Sequence, residues 1–135
     1  MNIFKKIYCR AFQSVFRLVL PILPYREPEI LKKDNEVSQV LKNKNIERVL
    51  LVTDSGLKKL GLTTSLEEEL RASGIKVYVY DGTVPNPTTE NVDEALKIYT
   101  EKKCQAIIGF GGGSPIDCAK ATGARIASPK RICLK

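Results

Sequence analysis

The chain has 135 residues, 43% of them hydrophobic and 27% charged, with 22 lysines and arginines against 15 aspartates and glutamates and no histidine. That length fits one domain of ordinary size, and the apolar share is enough for a core, which excludes wholesale disorder. The lack of histidine excludes a Ser-His-Asp or Cys-His unit, a histidine-bound zinc or iron, and imidazole acid–base chemistry within this chain.

The net charge of +7 is unevenly placed. Residues 1–33 carry +5, residues 34–128 carry −1 and residues 129–135 carry +3. A nucleic-acid surface would put its basic stripe on the folded body, so the ends read as solvated tails and no nucleic-acid partner is expected. In residues 1–44, Phe4, Ile7, Tyr8, Ala11, Phe12, Val15 and Val19 fall near one helical face, which predicts an amphipathic helix and an extension. It reads either as a weak membrane-surface contact or as a helix packed on protein. The longest uncharged piece, Leu18 to Tyr25, is eight residues, too short to span a bilayer. Cys9, Cys104, Cys118 and Cys133 form no CxxC pair, and Cys104 and Cys118 sit in apolar patterns. They read as small buried hydrophobes of a cytoplasmic protein.

Residues 45–128 read as a repeated unit. Runs at 48–53, 75–80 and 104–110 are rich in β-branched and apolar residues, and their starts are 27 and 29 positions apart. The first and third are nearly continuous apolar runs, as in strands covered on both faces. Between them, Thr64 and Glu67 are spaced as a capping box, Gly74 stops a helix, and Thr88 or Thr89 caps a helix through Asn91 to Lys103. The alternation predicts an α/β fold, a Rossmann-like parallel sheet with flanking helices in βαβαβα order. Residues 129–135 form a basic tail.

Ligands of open parallel sheets bind at the carboxyl ends of the strands. Those ends carry Thr53-Asp54-Ser55-Gly56, then Asp81-Gly82-Thr83-Val84-Pro85-Asn86-Pro87-Thr88, then Gly109-Phe110-Gly111-Gly112-Gly113-Ser114-Pro115-Ile116-Asp117. In the third, Gly111, Gly112 and Gly113 let a ligand approach the backbone. Ser114 suits an N-cap, Pro115 the first helical position and Asp117 the third. Such a bend offers free N–H groups and a positive dipole end to a phosphate; a plain tight turn is the other reading. It is neither a Walker loop nor GxGxxG, because Ser114 takes the third glycine's place. Asp54 can accept from the hydroxyls of a ribose and repel a 2′-phosphate, favouring NAD over NADP, or it can simply cap a helix over Ser55-Gly56.

The run Gly111 to Ala121 resembles the signature of the iron-containing, group III alcohol dehydrogenases. Val52-Thr53-Asp54 and Asp81 to Thr88 resemble two further motifs of that family, in the same order. The resemblance implies an alcohol or aldehyde oxidoreductase that uses NAD and Fe2+. Asp54 would bind the adenosine ribose, and Gly111, Gly112, Gly113 and Ser114 the pyrophosphate. Asn86 would line the cofactor cleft, and Asp117 would lie near the nicotinamide. In that family an Asp and three His of an all-helical C-terminal domain hold the metal, so no metal ligand and no catalytic residue is assigned here. The chain reads as an N-terminal, cofactor-binding part, truncated before that helical domain and inactive alone. In full length it would take a small alcohol or aldehyde and assemble as a homo-oligomer. The other reading is a non-catalytic nucleotide-binding or interaction module, a decayed fragment or a flavodoxin-like regulator.

Overall fold

A computed structural model describes residues 30–31 and 35–128; all but Ile30 belong to the compact unit Leu31–Lys135. The amphipathic helix expected near the N-terminus, the basic tail 129–135, Cys9 and Cys133 lie outside the described residues. Helices and strands alternate as α1 Asn35–Asn43, β1 Arg48–Val52, α2 Ser55–Lys59, α3 Thr64–Ala72, β2 Lys76–Tyr80, α4 Thr89–Glu101, β3 Ala106–Gly109 and α5 Gly113–Ala127. No helix of the described residues is long and apolar enough to cross a membrane.

The sheet is parallel, in the order β2-β1-β3. Val49 to Val52 of the central strand have no solvent exposure at all. A strand buried on both faces needs apolar residues at every position, and this run has them. Its alternation divides the core in two. Leu50 and Val52 pack with Tyr80, Val92, Ala95, Cys118 and Ala119 from the side of α4 and α5. Val49 packs with Leu41 of α1, Leu70 of α3 and Ile75 on the other side. Cys104 and Cys118 are buried free thiols, and burial pushes both pKa values up.

All three helix-to-strand connections close in the same way. The N–H groups of Asn45 and Ile46 bond to the carbonyls of Lys42 and Leu41, those of Gly74 and Ile75 to Arg71 and Leu70, and those of Lys103 and Cys104 to Thr100 and Tyr99. This is the Schellman arrangement, in which a left-handed residue turns the chain and an apolar residue follows it into the core. Asn45, Gly74 and Lys103 have φ of 55°, 83° and 52°. Only Gly74 takes that conformation without steric cost. Three residues of three types thus perform one operation, and composition announced only the glycine.

Two expectations change. The third strand is Ala106–Gly109, shorter than the run 104–110; just before it, Gln105 N–H donates to Arg48 O at 2.8 Å and its Oε1 accepts from the N–H groups of Glu47 at 2.9 Å and Arg48 at 3.2 Å. The capping box of Thr64 and Glu67 does not form. Thr63 is the N-cap of α3, so Leu66 is the third helical residue, and Glu67, one position on, turns inward with only 3% exposure. At the start of α4, by contrast, Thr88 is the cap, and its N–H donates to Oδ1 of Asn91 at 3.2 Å. α1 lies in a stretch for which composition announced no separate helix, whereas the short α2 is the helix that Asp54 was expected to cap over Ser55-Gly56.

Lys103 offers a direct check on the connections. Lys103→Gly should raise stability by about 0.5–1 kcal/mol, because the left-handed strain is relieved and only backbone entropy opposes it. Urea unfolding of the variant would show this as a higher midpoint at unchanged slope.

Candidate functional site

The carboxyl ends of the three strands meet at one edge. Thr53 N–H donates to Tyr80 O at 2.8 Å, and Phe110 N–H donates to Val52 O at 2.9 Å, so the exits of β2 and β3 are tied to that of β1. Asp54 and Gly82 add an isolated antiparallel bridge just beyond. The segment after β2 is held from beneath. Asn91 Nδ2 donates to Gly82 O at 3.1 Å and to the Tyr80 hydroxyl at 3.0 Å, while that hydroxyl donates to Glu94 Oε2 at 2.7 Å. Burial first, then the Glu94 acceptor, raises the Tyr80 pKa far above the usual phenol range, so the hydroxyl stays a donor.

Asp54 is the N-cap of α2, its Oδ1 accepting from Leu57 N–H at 2.9 Å. One oxygen of the carboxylate is thereby committed, and the other remains to a ligand. α5 starts differently from the sequence reading. Its N-cap is Gly112, at φ −78° and ψ −161°, with no side-chain cap bond. Gly113, Ser114 and Pro115 therefore fill the first three helical positions. The first amide to bond back is that of Ile116, to Gly112 O at 3.4 Å. Pro115 is tolerated there because that turn has no acceptor for its missing N–H. The amides of Gly113 and Ser114 are left free at the positive end of a 15-residue helix.

The three glycines do different work. Gly111 has φ +133°, and a Cβ on it would lie 2.5 Å from Leu57 Cδ1 and 3.1 Å from Pro115 Cγ, so protein atoms fill its surroundings. At Gly112 and Gly113 a Cβ would meet nothing within 4 Å. Neither has a positive φ. Their missing side chains leave open space in front of the free amides. That space is a cleft of about 370 Å³ lined by Asp54, Ser55, Thr83, Val84, Pro85, Gly112, Gly113, Ser114 and Pro115.

The fold thus brings Asp54, Gly112, Gly113 and Ser114 to one cleft. Gly111 lies beneath it as packing. Asn86, exposed at φ 57° in the loop after β2, is not among the lining residues. Asp117 is exposed on α5, its Oδ1 3.9 Å from Lys120 Nζ, and also lies off the lining. Thr83 was not foreseen as a lining residue; it is 5% exposed, with the Cys118 thiol beside its hydroxyl. A second hollow, of about 390 Å³, is lined by Arg71, Gly74 and residues 75–78 along the edge strand. It lies at the amino end of β2, away from the carboxyl ends of the strands, and no carboxylate lines it. Among the described residues no three His, Cys, Asp or Glu side chains cluster as a metal site, so these residues do not fit a metal ion.

A charged cluster stands behind the cleft. Glu67 Oε1 accepts from Lys58 Nζ of α2 and from Thr63 Oγ1 at 2.8 Å; Oε2 accepts from Arg71 at 2.9 Å. Burial alone would raise the Glu67 pKa, but the hydrogen bonds from Lys58 and Thr63 and the charges of Lys58 and Arg71 outweigh it and lower it. No sequence pattern links Lys58 to Glu67; only the Glu67–Arg71 spacing was visible.

A three-stranded parallel sheet flanked by helices, with an open glycine bend after its third strand, defines a Rossmann-like α/β protein. Residues 31–133 match the model of the iron-containing alcohol dehydrogenases, and the chain belongs to that family. It is 46% identical over 92 residues to the long-chain primary alcohol dehydrogenase AdhA of Thermoanaerobacter ethanolicus, covering 67% of this chain and 23% of that one. With the 1,3-propanediol dehydrogenase of Klebsiella pneumoniae it shares 35% over 111 residues, 81% of this chain and 28% of the other. The structure of the NADH-dependent butanol dehydrogenase A of Thermotoga maritima superposes with a TM-score of 0.62 at 29% identity, over 73% of this chain and 27% of that one. The chain spans about a quarter of the length of these relatives.

Glu67 sets a pH dependence. Its folded pKa lies below its unfolded value, so its contribution is complete above about pH 4.3 and is lost as pH falls through the lower folded value. Glu67→Gln removes that component. Urea midpoints measured from about pH 5 to about pH 3 should fall less steeply in the variant than in the wild type.

Proposed function

We propose that this chain is the NAD-binding part of a metal-dependent alcohol dehydrogenase, a cytoplasmic enzyme acting on a small alcohol or aldehyde. The open space at Gly112 and Gly113, in front of the uncapped start of α5, carries the reading. With glycine as its N-cap and no side-chain cap bond, α5 forgoes about a few tenths of a kcal/mol. α2, beside it, closes its own end with Asp54. The difference makes sense if a diphosphate caps α5: its oxygens would accept from the amides of Gly113 and Ser114, with the hydroxyl of Ser114 at hand.

Asp54, on the facing strand, would accept from a ribose hydroxyl through its uncommitted oxygen and would repel a 2′-phosphate. Ser55 and Thr83 add polar walls, and Val84 and Pro85 give an apolar one. Bound there, a nicotinamide cofactor supplies the hydride acceptor or donor, and the residues of this chain bind and orient it. No metal step is assigned to the described residues. Several relatives are alcohol, propanediol or butanol dehydrogenases, which supports the substrate class. The buried free thiols of Cys104 and Cys118 suit a reducing compartment.

Fluorescence titration of the chain with NADH tests this. Saturable binding is expected, and Gly113→Ala should weaken it about tenfold or more by filling the diphosphate space while changing stability by less than about 1 kcal/mol. Absence of saturable binding by the folded chain would overturn the reading. Asp54→Asn keeps a cap on α2 but drops the charge, so the preference for NADH over NADPH should shrink about tenfold; an unchanged preference would remove Asp54 from the ribose.

A further inference from the structure

We infer that Glu67 is a positioning residue for the cleft: through Lys58 it fixes α2 and, with α2, the carboxylate of Asp54 and the support beneath Gly111. The cleft's role in cofactor binding rests on the reading above; the tether itself does not.

α2 cannot hold its own place. It has five residues and none of them is buried. A helix of one and a half turns is not stable by itself in water. Attachments at its start, on its inner side and at its end help to keep it in position. At its start Asp54 Oδ1 accepts from Leu57 N–H at 2.9 Å, and Asp54 O accepts from Lys58 N–H at 3.1 Å. On its inner side Leu57 Cδ1 fills the space a Cβ on Gly111 would need. At its end Lys58 Nζ donates to Glu67 Oε1.

The first two attachments join α2 to the cleft itself. The third leads to α3, where Glu67 is 3% exposed and anchored by Thr63 and Arg71; the backbone also ties α2 toward α3, through the Leu62 N–H that donates to Leu57 O at 3.2 Å. Lys58 is therefore a double joint. Its ammonium grips a buried carboxylate, and its amide bonds back to Asp54. Without the grip, a side chain already one-third exposed moves to solvent, and the turn holding Leu57 and Asp54 loosens. Glu67 touches none of the residues that line the cleft through a hydrogen bond of its own, so its effect on a ligand must pass through α2.

Two measurements on the full chain decide the matter. The first needs no cofactor. In Glu67→Gln, amide hydrogen exchange at Leu57 and Lys58 should quicken about fivefold or more, while Leu50 and Leu51 in β1 stay unchanged. Unaltered exchange at Leu57 overturns the inference, as does an equal rise across β1. The second is a double-mutant cycle read by NADH titration. Glu67→Gln should weaken NADH about fivefold in the wild-type chain and less than about twofold in the Asp54→Ala background. Equal losses in both backgrounds would mean that Glu67 does not act through Asp54. Lys58→Met cuts the same link while leaving Glu67 paired to Thr63 and Arg71, and it should reproduce both results if Glu67→Gln fails to fold. A wild-type chain that binds no NADH defeats the cofactor reading, and the exchange result then decides the tether alone.

Discussion

Val49 to Val52 form a strand with neighbours on both edges and helices over both faces, and they are sealed from water. Burying four large apolar side chains contributes on the order of 6–12 kcal/mol before the entropy of ordering is counted. The position also dictates direction. From β1 the chain crosses to β2 on one flank, then passes back over β1 to reach β3 on the other. The loops leaving β1 and β3 therefore diverge, toward α2 and α3 on one face and toward α5 on the other. A crevice opens between them because the strand order reverses there. The cleft is a consequence of topology before any side chain lines it.

Chemistry is then added by leaving things out. Two helices begin at the crevice. One is closed by its own aspartate, the other by no side chain among the described residues. Gly112 and Gly113 keep the second open without any demand from backbone strain or packing. Gly111, next to them, is glycine for the opposite reason, since Leu57 and Pro115 fill its space. One run of three identical residues thus joins a packed position to two that face open space. Stability and function meet at Leu57, whose amide orients Asp54 and whose side chain supports the bend.

Much of this was legible in the order of residues. The three strands, their parallel pairing and the gathering of Asp54 with the glycine bend follow from apolar runs spaced at one strand plus one helix. Gly74 as a stop and Thr88 as a cap follow from local backbone preference. The misreadings share a cause. Ser114 is a good cap in isolation, yet the helix starts two residues earlier, where Gly112 leaves its amides free. Thr64 and Glu67 have capping-box spacing, but α3 begins one residue early and Glu67 is drawn into an ion cluster. Asn86 and Asp117 lie in the expected segments but are not among the residues that line the cleft.

Sequence by itself determined the class: a parallel α/β sheet, covered on both faces, with a phosphate-type bend after its third strand. Those features depend on periodicity and on residues close together in the chain. Only the tertiary structure decided which glycine faces open space, which carboxylate is committed to a cap, and that Lys58 reaches Glu67 across nine positions of chain. These depend on distances between elements, and such distances are set by packing over the whole core.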